Sequence, residues 1–258
     1  MNFILSEKTG STLRITLNRP DKFNSFNRAM ALELIEVLDD GEKDKAMRCI
    51  YITGQGKAFC AGQDLAEAID ENGPGIKKIV EEHYNPIIKK IRSTEKPVVC
   101  AVNGVAAGAG ANIALCCDVV IAAESASFIQ AFSKIGLIPD SGGTFFLPRL
   151  VGFQRASALM MLGDKISSME ALQMGMLYKI FPEDQLQIEG MKIAENLSTM
   201  PTRGLGLTKK LLNESMVNNL FSQLQRESEE QVVAASSYDY QEGVNAFLEK
   251  RKALFKGE

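Results

Sequence analysis

The chain has 258 residues, a formal net charge of -3 and 45% hydrophobic residues, enough for a substantial core in one large domain or a core with an appended segment. That charge argues against nucleic-acid binding, which leaves a basic footprint, and no apolar run is long enough to span a bilayer. With one histidine, His83, a metal site of several imidazoles is excluded; the five cysteines lack zinc-site or redox spacing and read as buried small hydrophobes, so no metal is expected.

Residues 1–8 show neither an apolar secretory leader nor an Arg-rich one, which gives a cytoplasmic protein as the expectation. Residues 12–17 (TLRITL) alternate apolar and polar side chains as a half-buried strand does. A helix is expected over 27–38, with Asn27 as its N-cap and Gly41 as its stop. A short apolar strand at 49–53 leads to AFCAGQDL at 58–65. The spacing then predicts a helix over 75–92, with His83 as a partly exposed structural residue. The apolar run 98–102 reads as a strand before NGVAAGAGANIAL at 103–115, whose second half opens a helix over 107–116, and 118–123 reads as the next strand. Strands alternating with helices indicate an α/β layered fold. After about residue 144 the pattern changes, and 152–162, 168–174, 182–197, 204–212, 218–235 and 240–255 all read as helices.

Three of these stretches carry chemistry. Glycine lets a backbone approach a ligand closely, and the first NH groups of a helix lack partners, so 58–65 and 103–115 can present NH donors to one oxygen anion. IPDSGGT at 138–144 adds a lone carboxylate, Asp140, able to act as a base. Taken singly, each has a plainer explanation: the Gly/Ala runs as close packing, and Asp140 as a turn residue after Pro139.

Together, RPDKFNS (19–25), AFCAGQDL, the stretch from Lys96-Pro97 to Asn103-Gly104, the Gly/Ala helix start, Cys117-Asp118, GLIPDSGGT (136–144) and FLEKR (247–251) resemble the crotonase, or enoyl-CoA hydratase/isomerase, superfamily in order and spacing. The resemblance implies a ClpP/crotonase-like α/β spiral of ββα repeats over residues 1–200. It also implies a helical region over 201–258 that builds trimers or dimers of trimers and contacts CoA. The substrate implied is an acyl-CoA thioester, with coenzyme A as part of that substrate and no separate cofactor. By the family's pattern the thioester oxygen accepts from the backbone NH groups of Gln63 and Ala109. CoA is met by Lys22 near the phosphates, by Ala61, Asp64 and Leu65 beside the adenine, and by Phe247 and Lys250, for which a neighbouring subunit is one source. Outside the family's pattern Lys22 reads as a solvated loop lysine, Phe247 as helix packing, Asp64 as a turn or helix-start residue, and Asp118 as structural at a strand start.

The departures from the family's pattern matter most. Hydratases of the family use two glutamates; the matching positions here hold Asn112 and Phe132, neither of which exchanges a proton near neutral pH. Hydration needs a water activated at one carbon and a proton delivered to the next. Asp140 stands where certain isomerases of the family carry an aspartate, and FCAGQDL, PDSGG and FLPR together are similar to the phenylacetate-pathway branch. The resemblance therefore implies an acyl-CoA isomerase that moves a double bond or rearranges a ring epoxide of the 1,2-epoxyphenylacetyl-CoA to oxepin-CoA type. Asp140 would shuttle the proton, assisted by Asn112. Two readings stand beside it: an enoyl-CoA hydratase with an atypical acid-base set, and a non-catalytic acyl-CoA-binding member. A dehalogenase-type use of Asp140 as nucleophile is disfavoured by the absence of tryptophan.

Overall fold

The computed structural model describes residues 2–258. Its strands are β1 (Ile4–Thr9), β2 (Thr12–Leu17), β3 (Cys49–Gly54), β4 (Ala58–Cys60), β5 (Val98–Val102), β6 (Val105–Ala107), β7 (Val119–Ala123), β8 (Ser127–Ile129), β9 (Lys165–Ser167) and β10 (Lys179–Phe181). One sheet has the order β1-β2-β3-β5-β7-β10 and a smaller one the order β4-β6-β8-β9. Among the described residues only the β1-β2 and β8-β9 pairs are antiparallel. The pairs β3/β4, β5/β6 and β7/β8 each send one strand to each sheet before the chain turns helical, so the backbone climbs as the expected ββα spiral. β3 and β5 are buried along their whole length, and their continuous apolar runs are what a parallel strand covered on both faces needs.

The first helix, Arg28–Lys43, begins where expected: the Asn27 side chain accepts from Met30 N at 3.0 Å. It does not stop at Gly41. That residue is buried inside the helix, where a Cβ would stand 2.5 Å from Leu13 Cδ2, so it is a packing glycine and the helix runs to Lys43. The helix expected over 75–92 is divided into Gly75–Lys78, a π-helical turn Ile79–Tyr84, and Asn85–Ser93. Pro86 supplies the reason. It has no NH for an i to i-4 bond, and its ring would press on the carbonyl of residue 82 in a regular helix. The wider turn relieves this, with Asn85 N bonding to Val80 O. His83, expected to be partly exposed, is buried, with Nε2 3.2 Å from Arg28 Nη1.

Downstream, Gly143–Val151 is an additional helix that periodicity did not reveal, separated from Phe153–Leu162 by Gly152 at φ +83°. The final helix is Tyr238–Glu249, shorter than the expected 240–255. Its own carboxylates fold the tail back along the helix: Asp239 accepts from Lys256 N and Gly257 N, and Glu242 from Leu254 N and Arg251. All five cysteines are free and buried. Asp118 is structural, accepting from Val98 N at 2.8 Å and pairing with Arg92 and Lys209. Among the described residues no helix is long and apolar enough to cross a membrane.

Candidate active site

A cavity of about 370 Å³ is walled by residues 61–65 after β4, by Gly108 and Ala109 after β6, by the loop from Ala131 to Asp140, and by one face of the π-helical turn. Two glycines let its walls meet. At Gly62, φ is +90° and a Cβ would lie 3.0 Å from Ala107 O and 3.5 Å from Ala109 N. At Gly110 a Cβ would sit 2.4 Å from Cys60 O. The two strand-to-helix passages are therefore in backbone contact, which no side chain at these positions would allow.

This contact brings Gln63 and Ala109 to one cavity. Neither main-chain NH is used by a carbonyl among the described residues. The bridge between Phe26 and Gln63 runs from Phe26 N to Gly62 O (2.7 Å) and from Asp64 N to Phe26 O (2.8 Å), skipping Gln63 N. Ala109 is the first residue of its helix, Ala109–Leu115, where NH groups have no intrahelical acceptor.

Two carboxylates line the cavity, and their surroundings differ. Asp64 caps the short helix Leu65–Ala68 through Ala66 N (3.1 Å) and pairs with Arg19 at 2.9 Å. Burial alone would raise its pKa, but the Arg19 guanidinium and the cap outweigh it and hold the carboxyl below the usual aspartate value. Asp140 has no cation partner among the described residues. It is half-buried, and desolvation raises its pKa against the opposing bond from Ser141 Oγ to Oδ1 at 2.9 Å.

Asn112 does not line the cavity. It is buried behind the Asp140 loop, its Nδ2 donating to Asp140 O at 2.9 Å and its Oδ1 accepting from Gln130 Nε2 at 2.8 Å. Expected to assist Asp140, it stands as a brace for the Asp140 backbone, with both amide ends occupied by protein. Phe132 does line the cavity, so an apolar ring stands on the wall where a second acid-base group was absent from the sequence.

Lys22, Ala61, Asp64 and Leu65 share the cavity lining, whereas Phe247 and Lys250 do not. Phe247 is 83% exposed at the end of the last helix and faces a separate apolar hollow of about 540 Å³ among the C-terminal helices. Lys250 terminates that helix with φ +55°. A single chain does not bring these two residues to the cavity. Sequence reasoning missed Tyr84, Ile79, Val80, Lys134 and Leu137 on the lining. Pro86 in an otherwise helical stretch was the available signal for the π-helical turn; the loop residues carried none.

Two free NH groups and one uncompensated carboxyl can hold an oxygen anion and move a proton beside it. The sequence model described as enoyl-CoA hydratase/isomerase matches residues 7–258. The chain belongs to the enoyl-CoA hydratase/isomerase family. It is 47% identical to the 1,2-epoxyphenylacetyl-CoA isomerase of Escherichia coli (strain K12), with 100% of both chains covered. It is 35% identical to the trans-2-decenoyl-[acyl-carrier-protein] isomerase of Streptococcus mutans, over 99% of this chain and 98% of that one. The crystal structure of an enoyl-CoA hydratase from Bacillus anthracis superimposes with a TM-score of 0.92 at 33% identity, covering 99% of this chain and 100% of the other. The protein is thus an enzyme of the hydratase/isomerase family with the crotonase-type fold, and its relatives include both reaction types.

Proposed function

We propose that the protein is an acyl-CoA isomerase working through a held enolate and a single-carboxylate proton shuttle. The thioester oxygen sits between Gln63 N and Ala109 N. Asp140 removes a proton from the carbon next to the thioester carbonyl, electron density moves onto the oxygen, and the protonated Asp140 returns the proton further along the conjugated system. With a 3-enoyl-CoA the product is the conjugated 2-enoyl-CoA. Each preorganised donor contributes about 2.7 to 4 kcal/mol to such a step, because the charge develops on the oxygen it faces. Desolvation of Asp140 raises its basicity, which suits removal of a weakly acidic carbon-bound proton.

The observation that carries this reading is the contrast between the two lining carboxylates: Asp64 is neutralised by Arg19, and Asp140 is left basic. Phe132 lines the same cavity where the family's hydratase pattern has a second glutamate, so that acid-base group for hydration is missing. The isomerase relative from Escherichia coli supports a ring epoxide of the 1,2-epoxyphenylacetyl-CoA type as a substrate beside linear enoyl thioesters. A trimer or dimer of trimers is part of the same proposal: exposed Phe221 (83%), Phe247 (83%) and Leu248 (73%) leave apolar surface on the C-terminal helices, and Phe247 and Lys250 would meet CoA held by a neighbouring copy.

The test is product analysis after incubation with a 3-enoyl-CoA and, separately, with 1,2-epoxyphenylacetyl-CoA. Isomeric products with no 3-hydroxyacyl-CoA are expected. A 3-hydroxyacyl-CoA as the main product would make the enzyme a hydratase, and binding without turnover of either ester would make it a non-catalytic binder.

A further inference from the structure

The least expected group on the cavity wall is Tyr84, the last residue of the π-helical turn. It is 1% exposed, and its ring packs edge-on against Phe26 with centroids 6.0 Å apart. A buried phenol needs a hydrogen-bond partner. Tyr84 Oη donates to Gln63 Oε1 at 2.8 Å, and the other end of the same amide, Nε2, donates to Glu67 Oε2 at 3.0 Å. Glu67 is itself fixed, accepting from Arg28 N at 2.9 and 3.0 Å at the start of the first helix. The Gln63 side chain is therefore clamped at both ends.

We infer that Tyr84 is a positioning residue for the oxyanion donor, acting through the Gln63 side chain. This rests on the reading of Gln63 N as one of the two donors. The peptide that carries that NH joins Gln63 to Gly62, whose φ of +90° and missing side chain give the backbone little steric guidance. One end of the peptide is held by Phe26 N on Gly62 O. The other end is Gln63 Cα; beyond it Asp64 N is held on Phe26 O, and the clamp on the Gln63 side chain adds the restraint at Cα itself. Tyr84 reaches Gln63 because the π-helical turn brings residues five apart, Ile79 and Tyr84, to one buried face. The turn that Pro86 imposes thus aligns the donor. The phenol is not a proton carrier: its proton is committed to Gln63, and burial raises its pKa well above the ordinary tyrosine value.

The test uses Tyr84→Phe, Gln63→Leu and the double variant of the full-length enzyme. Turnover of a 3-enoyl-CoA is followed together with the infrared carbonyl stretch of bound 2-enoyl-CoA. Tyr84→Phe should lower kcat roughly tenfold, short of the loss of a whole donor, with KM within about twofold. It should also shrink the red shift that the wild type imposes on the thioester carbonyl. Gln63→Leu keeps the NH and deletes both ends of the clamp, so it should lose at least as much kcat as Tyr84→Phe, and the double variant should be no worse than Gln63→Leu alone. Wild-type kcat in either single variant, an unchanged carbonyl shift, or additive losses in the double variant would overturn the inference; Gln63→Leu decides it even if Tyr84→Phe does not fold. A wild-type enzyme that causes no carbonyl shift would instead refute the donor assignment itself.

Discussion

Gly62→Ala places a methyl group at the seam between the two donor stretches. The residue has φ +90°, and its Cβ would stand 3.0 Å from Ala107 O and 3.5 Å from Ala109 N. A non-glycine residue held in such a conformation costs about 1 to 3 kcal/mol, which for a chain of this size lowers Tm by roughly 2 to 12 °C. The contact with Ala107 O adds a displacement of a few tenths of an ångström, directed between the chain segments bearing Gln63 N and Ala109 N. Loss of one preorganised donor lowers kcat by about 10² to 10³, so a partial displacement should cost at least roughly tenfold. Gly10→Ala separates stability from catalysis: its φ is +57°, nothing lies within 4 Å of the added methyl, and it sits in the β1-β2 turn away from the cavity. Thermal melts and initial rates with a 3-enoyl-CoA, measured well below Tm, provide the assay. Both variants should melt lower, and only Gly62→Ala should lose kcat. A Gly62→Ala enzyme with wild-type kcat would refute the shared oxyanion site.

Other outcomes follow from the same geometry. Asp140 acts as a base only when ionised, and burial raises its pKa, so kcat/KM should fall with decreasing pH at a higher pH than an ordinary aspartate would give. Ser141→Ala removes a hydrogen bond that favours the charged form, and the acid limb of the pH-rate profile should move further up; a downward move would contradict the assignment. Asn112→Leu strands Gln130 Nε2, at about 1 to 3 kcal/mol, leaves Asp140 O with Gly143 N as its partner, and should lower kcat with little change in KM. Lys209→Met breaks a buried pair with Asp118 that lies outside the cavity. Urea unfolding should show a loss of about 3 kcal/mol, moderated because Arg92 still faces Asp118, and kcat should be unchanged.

The spiral was legible where residues decide backbone and burial locally. β3, β5 and β7 announced themselves as apolar runs, and Asn27 marked its helix start through the same cap bond the structure contains. The short second-sheet strands β4, β6, β8 and β9 were not legible as strands, because three residues show no periodicity and their partners come from later turns of the spiral. Gly41 looked like a helix stop because sequence does not display Leu13 pressing against it. For the site, the Gly/Ala stretches and Asp140 stood out through their residue types, and the structure gathers them at one cavity. The surroundings of Asn112 were not legible, because spacing gave its position on a helix but not that Gln130 and the Asp140 carbonyl would occupy its amide. Tyr84 could not be found from periodicity, since the π-helical turn shifts the register on which such reasoning depends.

Asp140 is the proton carrier on which isomerisation depends. Wild type and Asp140→Asn should be incubated with a 3-enoyl-CoA in deuterated water, following conjugated-thioester absorbance and product mass. The prediction is rapid wild-type formation of the 2-enoyl-CoA without hydroxyacyl product, and loss of that conversion in Asp140→Asn while CoA-ester binding persists. Conversion by Asp140→Asn at the wild-type rate would contradict it.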